Sequence, residues 1–544
     1  MTADLQPQPV GGNQAAGRWL GAAFVFAVLA FAWLRFSENT VDNDLWGHVL
    51  YGQRVLALGQ LEKTDTLSWT AAGQPWINHE TGAEIVLGAV HHAAGGTGLW
   101  LLMIGLAALT VGLALRAGIQ AGARFAVGLG LFAASINFIA TGYAVRPQLF
   151  TMLALVLLIP ALRRFFNGRL LEGLTIPALF AIWINFHGGW LAGWLILLLA
   201  AGLETLARLS PQLPRRLRCA AISPAPPGSV ALVALVAASS TALLLNPYGW
   251  HLFTWTLGSV QLPRPDITEW QPLLPSPASA PFYLVLLISL LAWLFTRRPR
   301  QLWEAAVLLM LTTMAVLHQR HAPLFGLVNL MLTPPHLADL LHRLAPHCHG
   351  LRQLFARTAM RIGAAVAAVI AGLFCLQQSV RAPRAHPFTL EVPRAIYPVA
   401  AIGFMREHKL TGHTLTFFDW GQQVLWELPH NPVSFDGRLD TVYPPAVMTA
   451  HWRLYAGQGI DPALRLDEAA VALLPTGSPG VSLLRQAGWQ PVYHDPLATV
   501  LRKDRASDST LPPLTRPAEG GPAATSGRTP FPENLPALAS ALKR

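Results

Sequence analysis

The stretch Val41-Asp42-Asn43-Asp44-Leu45-Trp46-Gly47-His48 directly follows an apolar run, Trp19 to Phe36, that is long enough to cross a lipid bilayer. It therefore places two carboxylates, an indole and an imidazole where the membrane ends and water begins. Carboxylates in such a place are poorly solvated and lie close to lipid headgroups, a setting that favours perturbed pKa values and chemistry. We expect this stretch to belong to a functional site at one face of a membrane protein.

The composition of the whole chain supports a membrane protein. The 544 residues are 53% hydrophobic and 12% charged, whereas an ordinary soluble domain has roughly 25% charged residues. The net charge is +11, but most Lys and Arg residues fall in short loops between apolar runs, where they orient spans. No nucleic-acid motif accompanies them, so we expect no nucleic acid among the partners. The three cysteines, Cys219, Cys348 and Cys375, are too few for a disulfide framework.

Apolar runs with the length of a membrane span recur along the chain. We predict about eleven spanning helices, each needing about 20 mostly apolar residues. They lie near 19–36, 97–116, 122–141, 148–163, 174–186, 189–207, 229–246, 281–296, 301–317, 322–335 and 361–380. Arginine-rich loops alternate with loops that hold polar and aromatic clusters. By the positive-inside rule the arginine-rich side is cytoplasmic, and the polar clusters lie outside.

The same alternation predicts the domain organisation. Residues 1–18 form a cytoplasmic N-terminal tail, and residues 19–382 form the transmembrane domain, whose first outer loop is 37–96. Residues 383–504 have no spanning stretch but contain short strand-like runs, which predict a small extracytoplasmic α/β domain. The remaining residues, 505–544, are rich in Pro, Ser, Thr and Gly, and we expect a disordered tail.

The tripeptide Asp42-Asn43-Asp44 precedes a predicted amphipathic helix, 45–59, which we expect to lie along the membrane interface. Two carboxylates at this spacing could bind one divalent cation, Mg²⁺ or Mn²⁺, or one could act as a general base while the other orients a partner. The alternative is structural, with Asp42 or Asn43 capping the helix that begins near Leu45. The position at the mouth of the first span favours catalytic roles for Asp42 and Asp44.

The loops on the outer side carry the other candidate site residues. Polar groups at span ends are costly unless they have a partner, so as a class they indicate function. The candidates for substrate binding are Trp46, His48, His79, Glu80, Arg146, His187, Tyr248, Glu269 and Arg320. Structural alternatives are interfacial anchoring for the aromatic residues, a helix-dipole contact for Glu80 and snorkelling for the arginines. Arg320 is the stronger arginine candidate for a phosphate, because His318 and His321 flank it.

Three charged residues of the predicted outer domain, Asp419, Asp436 and Arg438, also stand out in the sequence. They occur in Asp-Trp-Gly and Asp-Gly-Arg, which are typical of turns. We favour turn chemistry and a buried salt bridge for them over a role in chemistry.

Together these motifs resemble those of a known family. In chain order they are Asp-x-Asp-x-Trp-x-His, Pro-Trp…His-Glu, Arg-Pro-Gln, Trp-x-Asn-x-His-Gly-Gly, Asn-Pro-Tyr-Gly-Trp and Arg-His, followed by Asp-Trp-Gly and Phe-Asp-Gly-Arg-x-Asp. Over residues 19–504 the chain resembles bacterial polytopic proteins of the GT-C glycosyltransferase superfamily. Within that superfamily it resembles proteins near the branch that contains dolichyl-phosphate-mannose-type and lipopolysaccharide-core sugar transferases.

The resemblance implies an α-helical polytopic membrane protein of the GT-C type in the bacterial cytoplasmic membrane, with its active site on the outer face. The implied donor is a polyprenyl-phosphate-linked sugar, and the acceptor is an envelope glycan, a lipid or a protein. In that family the acidic residue of the first outer loop is the catalytic base or helps to hold a metal, which by position is Asp42, with Asp44 as its partner. Arg320, or else Arg146, would stabilise the departing phosphate.

Two other functions fit the same composition. One is a transporter or flippase of lipid-linked saccharides, which would place ionisable residues deep within the spans and show an internal repeat. The sequence shows no clear repeat, and its polar residues cluster at one face. The other is a non-catalytic scaffold of an envelope-assembly complex.

Overall fold

The computed structural model describes residues 10–210, 227–262, 264, 267–348, 350, 353–354, 357–381, 385–503 and 518–532, so Cys219 lies outside the described residues. The described α-helices are α1 (Val10–Phe36), α2 (Leu45–Leu58), α3 (Thr81–Gln120), α4 (Phe125–Ala140), α5 (Gln148–Phe166), α6 (Glu172–Trp183), α7 (Trp190–Leu209), α8 (Ser229–Ala242), α9 (Trp250–Ser259), α10 (Ala280–Phe295), α11 (Leu302–Leu317), α12 (Ala322–Leu332), α13 (Pro334–Leu344), α14 (Thr358–Arg381), α15 (Val399–Glu407), α16 (Gly421–Glu427), α17 (Pro445–Tyr455) and α18 (Pro479–Gln486). The strands are β1 (Glu391–Pro393), β2 (Thr414–Thr416), β3 (Val471–Pro475), β4 (Trp489–His494), β5 (Ala498–Lys503), β6 (Ala518–Glu519) and β7 (Arg528–Pro530).

Each predicted span coincides with a helix, and the fold is that of a helical membrane protein. Among the described residues, five helices are long and apolar enough to cross a bilayer by themselves: α1, α3, α5, α7 and α14. A further candidate span consists of α12 and α13, which meet at an angle of 59°. The helices α4, α6, α8, α10 and α11 are apolar but shorter, with 10–17 residues each. The predicted number of eleven spans is therefore not fixed by helix length and composition.

The first outer loop differs in detail from its predicted form. Although the loop is predicted to run to residue 96, it ends where helix α3 begins at Thr81, and the residues before the span form the first part of this 40-residue helix. The junction is a kink at Gly95, whose φ of 57° and ψ of −152° are open to glycine but disfavoured for other residues. Glu80 and Glu84 thus lie at the start of α3, before the kink.

Helix α2 packs inside the protein instead of lying along the membrane interface. Its first two turns, residues 45–52, are buried against α3 and α16. The two helices cross at very short range, since a Cβ atom on Gly52 would overlap the carbonyl oxygen of Glu84. Only glycine permits this close crossing. It places His48, which lies one turn before Gly52 on α2, beside Glu84 of α3.

The C-terminal domain, which we call the outer domain after its predicted location, contains a five-stranded sheet with the strand order β2-β3-β5-β4-β6. The pairs β2–β3 and β4–β6 are parallel, whereas β3–β5 and β4–β5 are antiparallel. Of the strand-like runs in the sequence, 414–418, 469–474, 490–493 and 498–502 contain strands, whereas residues 432–435 form only isolated bridges through Val433. The sheet and its helices build the small C-terminal α/β domain that the sequence predicts.

Backbone hydrogen bonds join the first outer loop to this domain. The amide of Val41 donates to the carbonyl of Glu391 at 2.9 Å, and the amide of Glu391 donates to the carbonyl of Asn39 at 2.8 Å. Within the predicted disordered tail, residues 518–532 supply β6 and β7, and β7 pairs with β1. Phe531 is buried there against Trp46. The loop that holds the two aspartates is therefore anchored on the domain side as well as at the span.

Candidate active site

Five of the predicted site residues meet in one charged group, which we call the arginine network: Asp42, Asp44, Arg146, Glu269 and Arg320. Arg146 lies at its centre, with Nε 2.5 Å from Asp42 Oδ1, Nη2 3.1 Å from Asp44 Oδ2 and Nη1 3.3 Å from Glu269 Oε2. These residues come from loops far apart in sequence. The alternation of the spans brings them to the same face.

Glu269 bridges the two arginines of the network. One of its oxygens contacts Arg146, and the other lies 3.1 Å from Arg320 Nη1. The guanidinium of Arg320 also lies over the ring of Trp270, with its carbon 4.6 Å from the ring centroid. Glu269 has the most exposed side chain of the network, at 36%. The network therefore has three carboxylates for two guanidinium groups, and the bridging carboxylate faces solvent.

The outer domain contacts the arginine network through the loop that contains Asp42 and Asp44. Asn43 donates from Nδ2 to Asp419 Oδ1 at 2.8 Å and accepts from Arg146 Nη2 at 3.1 Å. Gln422, with its amide nitrogen toward the loop, donates to the carbonyl oxygens of Asn43 and Asp44. Asp419, which the sequence assigned to turn chemistry, therefore lies at the edge of the network.

The structure does not support a helix cap as the role of the Asp-Asn-Asp tripeptide. Helix α2 begins at Leu45, so its N-cap residue is Asp44, and the Asp44 side chain makes no capping hydrogen bond. Asp42 Oδ1 accepts from the amide of Asp44 at 3.0 Å, which fixes the turn locally. Both carboxylates face Arg146, so the cation between them in this structure is a guanidinium. The prediction that they hold Mg²⁺ or Mn²⁺ does not fit this arrangement, because a divalent ion and the guanidinium would repel each other.

A second group, which we call the histidine cluster, consists of His48, His79, Glu80, Glu84 and His187. His48 Nδ1 lies 3.3 Å from Glu84 Oε1 and 3.9 Å from Glu80 Oε2. The other oxygen of Glu80, Oε1, lies 3.6 Å from His79 Nε2 and 3.7 Å from His187 Nε2. Glu80 is the N-cap residue of α3 but makes no side-chain capping bond. Its carboxylate faces the imidazoles, so a helix-dipole contact is not its main interaction.

Burial and neighbouring charges shift the pKa values in both groups. Burial is the main cause that raises the pKa of Asp44 to about 6, with Arg146 opposing and Asp42 adding to the effect. Burial lowers the pKa of His48, but the hydrogen bond to Glu84 and the charge of Glu80 outweigh it and raise the value to about 8. Carboxylates and imidazoles that titrate near neutral pH are suited to proton transfer.

Two predicted substrate-binding residues, Trp46 and Tyr248, make contacts within the protein. Trp46 is fully buried, and its ring packs against Tyr397 at 4.7 Å and against Phe531 at 5.5 Å. It has no surface left for a substrate, so that prediction is corrected. Tyr248 accepts a hydrogen bond from the amide of Asn78 at 2.9 Å and so holds the loop before α3 in place.

Neither Glu84 nor the contacts of Asn78 could be predicted from the sequence. Glu84 is 2% exposed and lies in a mostly apolar helical segment. From the sequence alone, a single acidic residue there cannot be told from one on the solvent-facing side of the helix. Its partner His48 lies on α2 and is brought next to it only by the crossing of α2 and α3. Asn78 belongs to the predicted Trp76–Glu80 cluster, but its donation from Nδ2 to Glu84 Oε2 at 2.5 Å is a structural finding.

Comparisons with known proteins bear on the fold. No protein-family model matches the sequence, and no curated protein sequence matches it. The structure is similar to the crystal structure of the Archaeoglobus fulgidus oligosaccharyltransferase in its apo form, with a TM-score of 0.53 and 11% identity over 84% of this chain and 69% of that one. It is also similar to the archaeal oligosaccharyltransferase AglB from Archaeoglobus fulgidus in complex with an inhibitory peptide and a dolichol-phosphate, with a TM-score of 0.51, 12% identity and the same coverage.

The chain also aligns with ArnT from Cupriavidus metallidurans bound to undecaprenyl phosphate. That alignment covers 91% of this chain and 98% of ArnT at 14% identity, with a TM-score of 0.45. The similarity to the oligosaccharyltransferase, together with the described helices, confirms the predicted fold class. The protein is a helical membrane protein with a small C-terminal α/β domain, and its fold is similar to that of the oligosaccharyltransferase.

Proposed function

We propose that the protein is a membrane glycosyltransferase that moves a sugar from a polyprenyl-phosphate donor to an acceptor hydroxyl. The acceptor would be an envelope glycan, a lipid or a protein, and the reaction would occur on the outer face of the bacterial cytoplasmic membrane. The observation that carries the proposal is the arginine network, in which three carboxylates and two guanidinium groups converge. The dolichyl-phosphate-mannose-type branch remains a prediction from the motifs.

The two arginines suit the phosphate of the donor. Glu269 places one carboxylate oxygen on each guanidinium, and a phosphate can make the same pair of charge-assisted contacts. We propose that the donor phosphate replaces the Glu269 carboxylate between Arg146 and Arg320. The dolichol-phosphate in the AglB complex supports a lipid phosphate as the ligand of this fold. The arginines would then stabilise the negative charge that develops as the phosphate leaves.

The two aspartates suit the acceptor side of the reaction. The hydroxyl oxygen attacks the anomeric carbon, the bond from that carbon to the phosphate oxygen breaks, and its electron pair leaves with the phosphate. The hydroxyl proton must pass to a base. The sequence favours Asp42, but Asp42 Oδ1 is already held by Arg146 Nε and by the amide of Asp44. We therefore propose that Asp44, whose pKa is about 6, accepts the proton and that Asp42 positions Arg146.

The test is release of free polyprenyl phosphate by the purified protein in lipid nanodiscs supplied with a labelled pool of lipid-linked sugars and membrane-derived acceptors. The wild type should release it. Asp44→Asn should slow release by about 10²–10⁴-fold, the usual contribution of a general base. Asp461→Asn is the matched control, because Asp461 forms an exposed pair with Arg453 in the outer domain. A wild type that releases nothing while it moves or merely binds the lipid would contradict the proposal, as would near-normal release by Asp44→Asn.

A further inference from the structure

The histidine cluster has the geometry of a metal site that is separate from the two aspartates. We infer that His48, Glu80 and Glu84 bind one divalent transition-metal ion, with Zn²⁺ as the best match. One donor atom from each residue lies within 4.8 Å of the others. Ligands about 2.0–2.2 Å from a tetrahedral zinc ion lie roughly 3.3–3.6 Å from one another. The separations of 3.3 Å and 3.9 Å from His48 Nδ1 to the two carboxylates require only a small closure.

Each carboxylate turns one oxygen to His48 and the other oxygen to polar side chains. Glu84 turns Oε1 to His48, while Oε2 accepts from Asn78 Nδ2. Glu80 turns Oε2 to His48, while Oε1 faces His79 and His187. The bond from Asn78 to Glu84 is an outer hydrogen bond of the kind that fixes the orientation of metal ligands. A plain ion pair between His48 and one glutamate would not need it.

His187 belongs to this outer layer, because its tautomer is fixed by its neighbours. The amide of Gly189 donates to His187 Nδ1 at 3.0 Å. Thr151 Oγ1 accepts from Trp183 Nε1 at 2.8 Å, which leaves the Thr151 hydroxyl hydrogen for His187 Nδ1 at 2.9 Å. With Nδ1 accepting, the proton lies on Nε2 and points to Glu80 Oε1. His187 Nε2 lies 3.7 Å from Glu80 Oε1, so His187 is a polar neighbour of a ligand and not itself a ligand.

The donor set selects the class of ion. One imidazole nitrogen and two carboxylate oxygens suit Zn²⁺ better than Mg²⁺ or Ca²⁺, which prefer oxygen ligands alone. The two carboxylate charges balance those of the ion in a part of the protein where Glu84 is 2% exposed. The inference concerns binding and does not depend on the proposed transfer reaction.

The experiment measures zinc in the full-length protein in nanodiscs, by mass spectrometry after removal of metal with a chelator and dialysis against micromolar Zn²⁺. The wild type should bind one equivalent. Glu84→Gln and His48→Asn should weaken binding at least tenfold, and Asn78→Ala should weaken it by about 10–100-fold through loss of the outer hydrogen bond. Asp42→Asn and Glu62→Gln are the controls and should bind as the wild type does, since Glu62 pairs with Arg54 elsewhere in the first outer loop.

A measurement on the wild type alone guards against variants that fail to fold. Cobalt-loaded protein should show the intense visible absorption of a four-coordinate site, and added zinc should remove it. A wild type that binds no zinc or cobalt would overturn the inference. Zinc retained by folded Glu84→Gln and lost by Asp42→Asn would also overturn it, because the ion would then belong to the aspartates.

Discussion

Two arginines in the outer part of the molecule, Arg146 and Arg438, each contact two aspartates, but their surroundings differ. Arg438 donates to both oxygens of Asp436, at 3.0 Å and 2.8 Å, and to Asp65. We call these three residues the buried arginine cluster, since their side chains are 0–3% exposed. In the arginine network, by contrast, the side chains are 18–36% exposed.

The environment explains what each group can do. The guanidinium of Arg438 lies among the rings of Tyr51, Trp76 and Tyr443, at 5.1–5.7 Å from their centroids. Tyr443 also donates to Asp436, so the cluster is enclosed and its charges have fixed partners. It joins the first outer loop to the outer domain. The arginine network has a surplus carboxylate facing solvent, so a ligand can exchange with it. Burial and a complete set of partners thus distinguish a structural ion cluster from a binding site.

The largest expected effect is in the buried arginine cluster. Arg438→Met leaves two buried carboxylates without a cation, which should cost about 3–5 kcal/mol of the free energy of unfolding. The measurement is thermal unfolding of the protein in detergent, together with the yield of folded protein. Arg453→Met is the control, because Arg453 is 49% exposed in its pair with Asp461 and should cost less than about 1 kcal/mol. Equal stability of the two variants would remove the contrast between the clusters.

The sequence was sufficient to predict a buried salt bridge at Arg438, but not all of the residues that take part in it. Asp-Gly-Arg indicated a turn with a buried salt bridge, and the structure contains both. Asp65, however, lies 373 positions away in the first outer loop. Only the packing of that loop on the outer domain brings it near, and no local pattern encodes that packing.

The same limit applies to the candidate site. Span alternation was sufficient to place Asp42, Arg146, Glu269 and Arg320 at one face, because successive outer loops must share a side of the membrane. It could not show that Trp46 faces the core, since an aromatic residue after a span looks the same in sequence whether it meets lipid, ligand or protein. Nor could it show the meeting of His48 with Glu84, which depends on the glycine-mediated crossing of α2 and α3.

Removal of the arginine at the centre of the network should affect activity more than stability. Arg146→Met takes away a cation that would stabilise the leaving phosphate, and loss of one such donor slows a reaction by about 10²–10³-fold. The unfolding temperature should fall less than in Arg438→Met, because Asp42 and Asp44 are partly exposed and can be hydrated. Release of polyprenyl phosphate and thermal unfolding are measured on the same preparation. If Arg146→Met proved as unstable as Arg438→Met, the network would be structural as well.

The raised pKa of Asp44 predicts a pH effect on stability that needs no substrate. Burial raises this pKa from 3.8 to about 6, so between these values the folded protein holds a proton that the unfolded chain has lost. Folding is therefore favoured at low pH, and this contribution is lost as pH rises from about 4 to about 6. At about 1.4 kcal/mol for each pKa unit, the change is on the order of 1–3 kcal/mol. Asp44→Asn should gain stability relative to the wild type over that range and hold the gain above it, as measured by thermal unfolding between pH 4 and pH 8. A constant difference between the two proteins would contradict the assigned shift.

The smallest effect is expected at the exposed edge of the network. If Glu269 occupies the place of the donor phosphate between Arg146 and Arg320, the free protein must release this carboxylate before the lipid binds. Glu269→Gln keeps the shape but removes the competing charge, so polyprenyl phosphate should bind about three- to tenfold more tightly, which corresponds to about 1 kcal/mol, the usual range for a half-exposed ion pair. Titration of nanodiscs with a labelled polyprenyl phosphate measures this, with Glu427→Gln as the control because Glu427 pairs with Arg406 in the outer domain. Weaker binding by Glu269→Gln would mean that Glu269 holds the arginines in place for the phosphate, and the exchange that separates the arginine network from the buried arginine cluster would not occur at this residue.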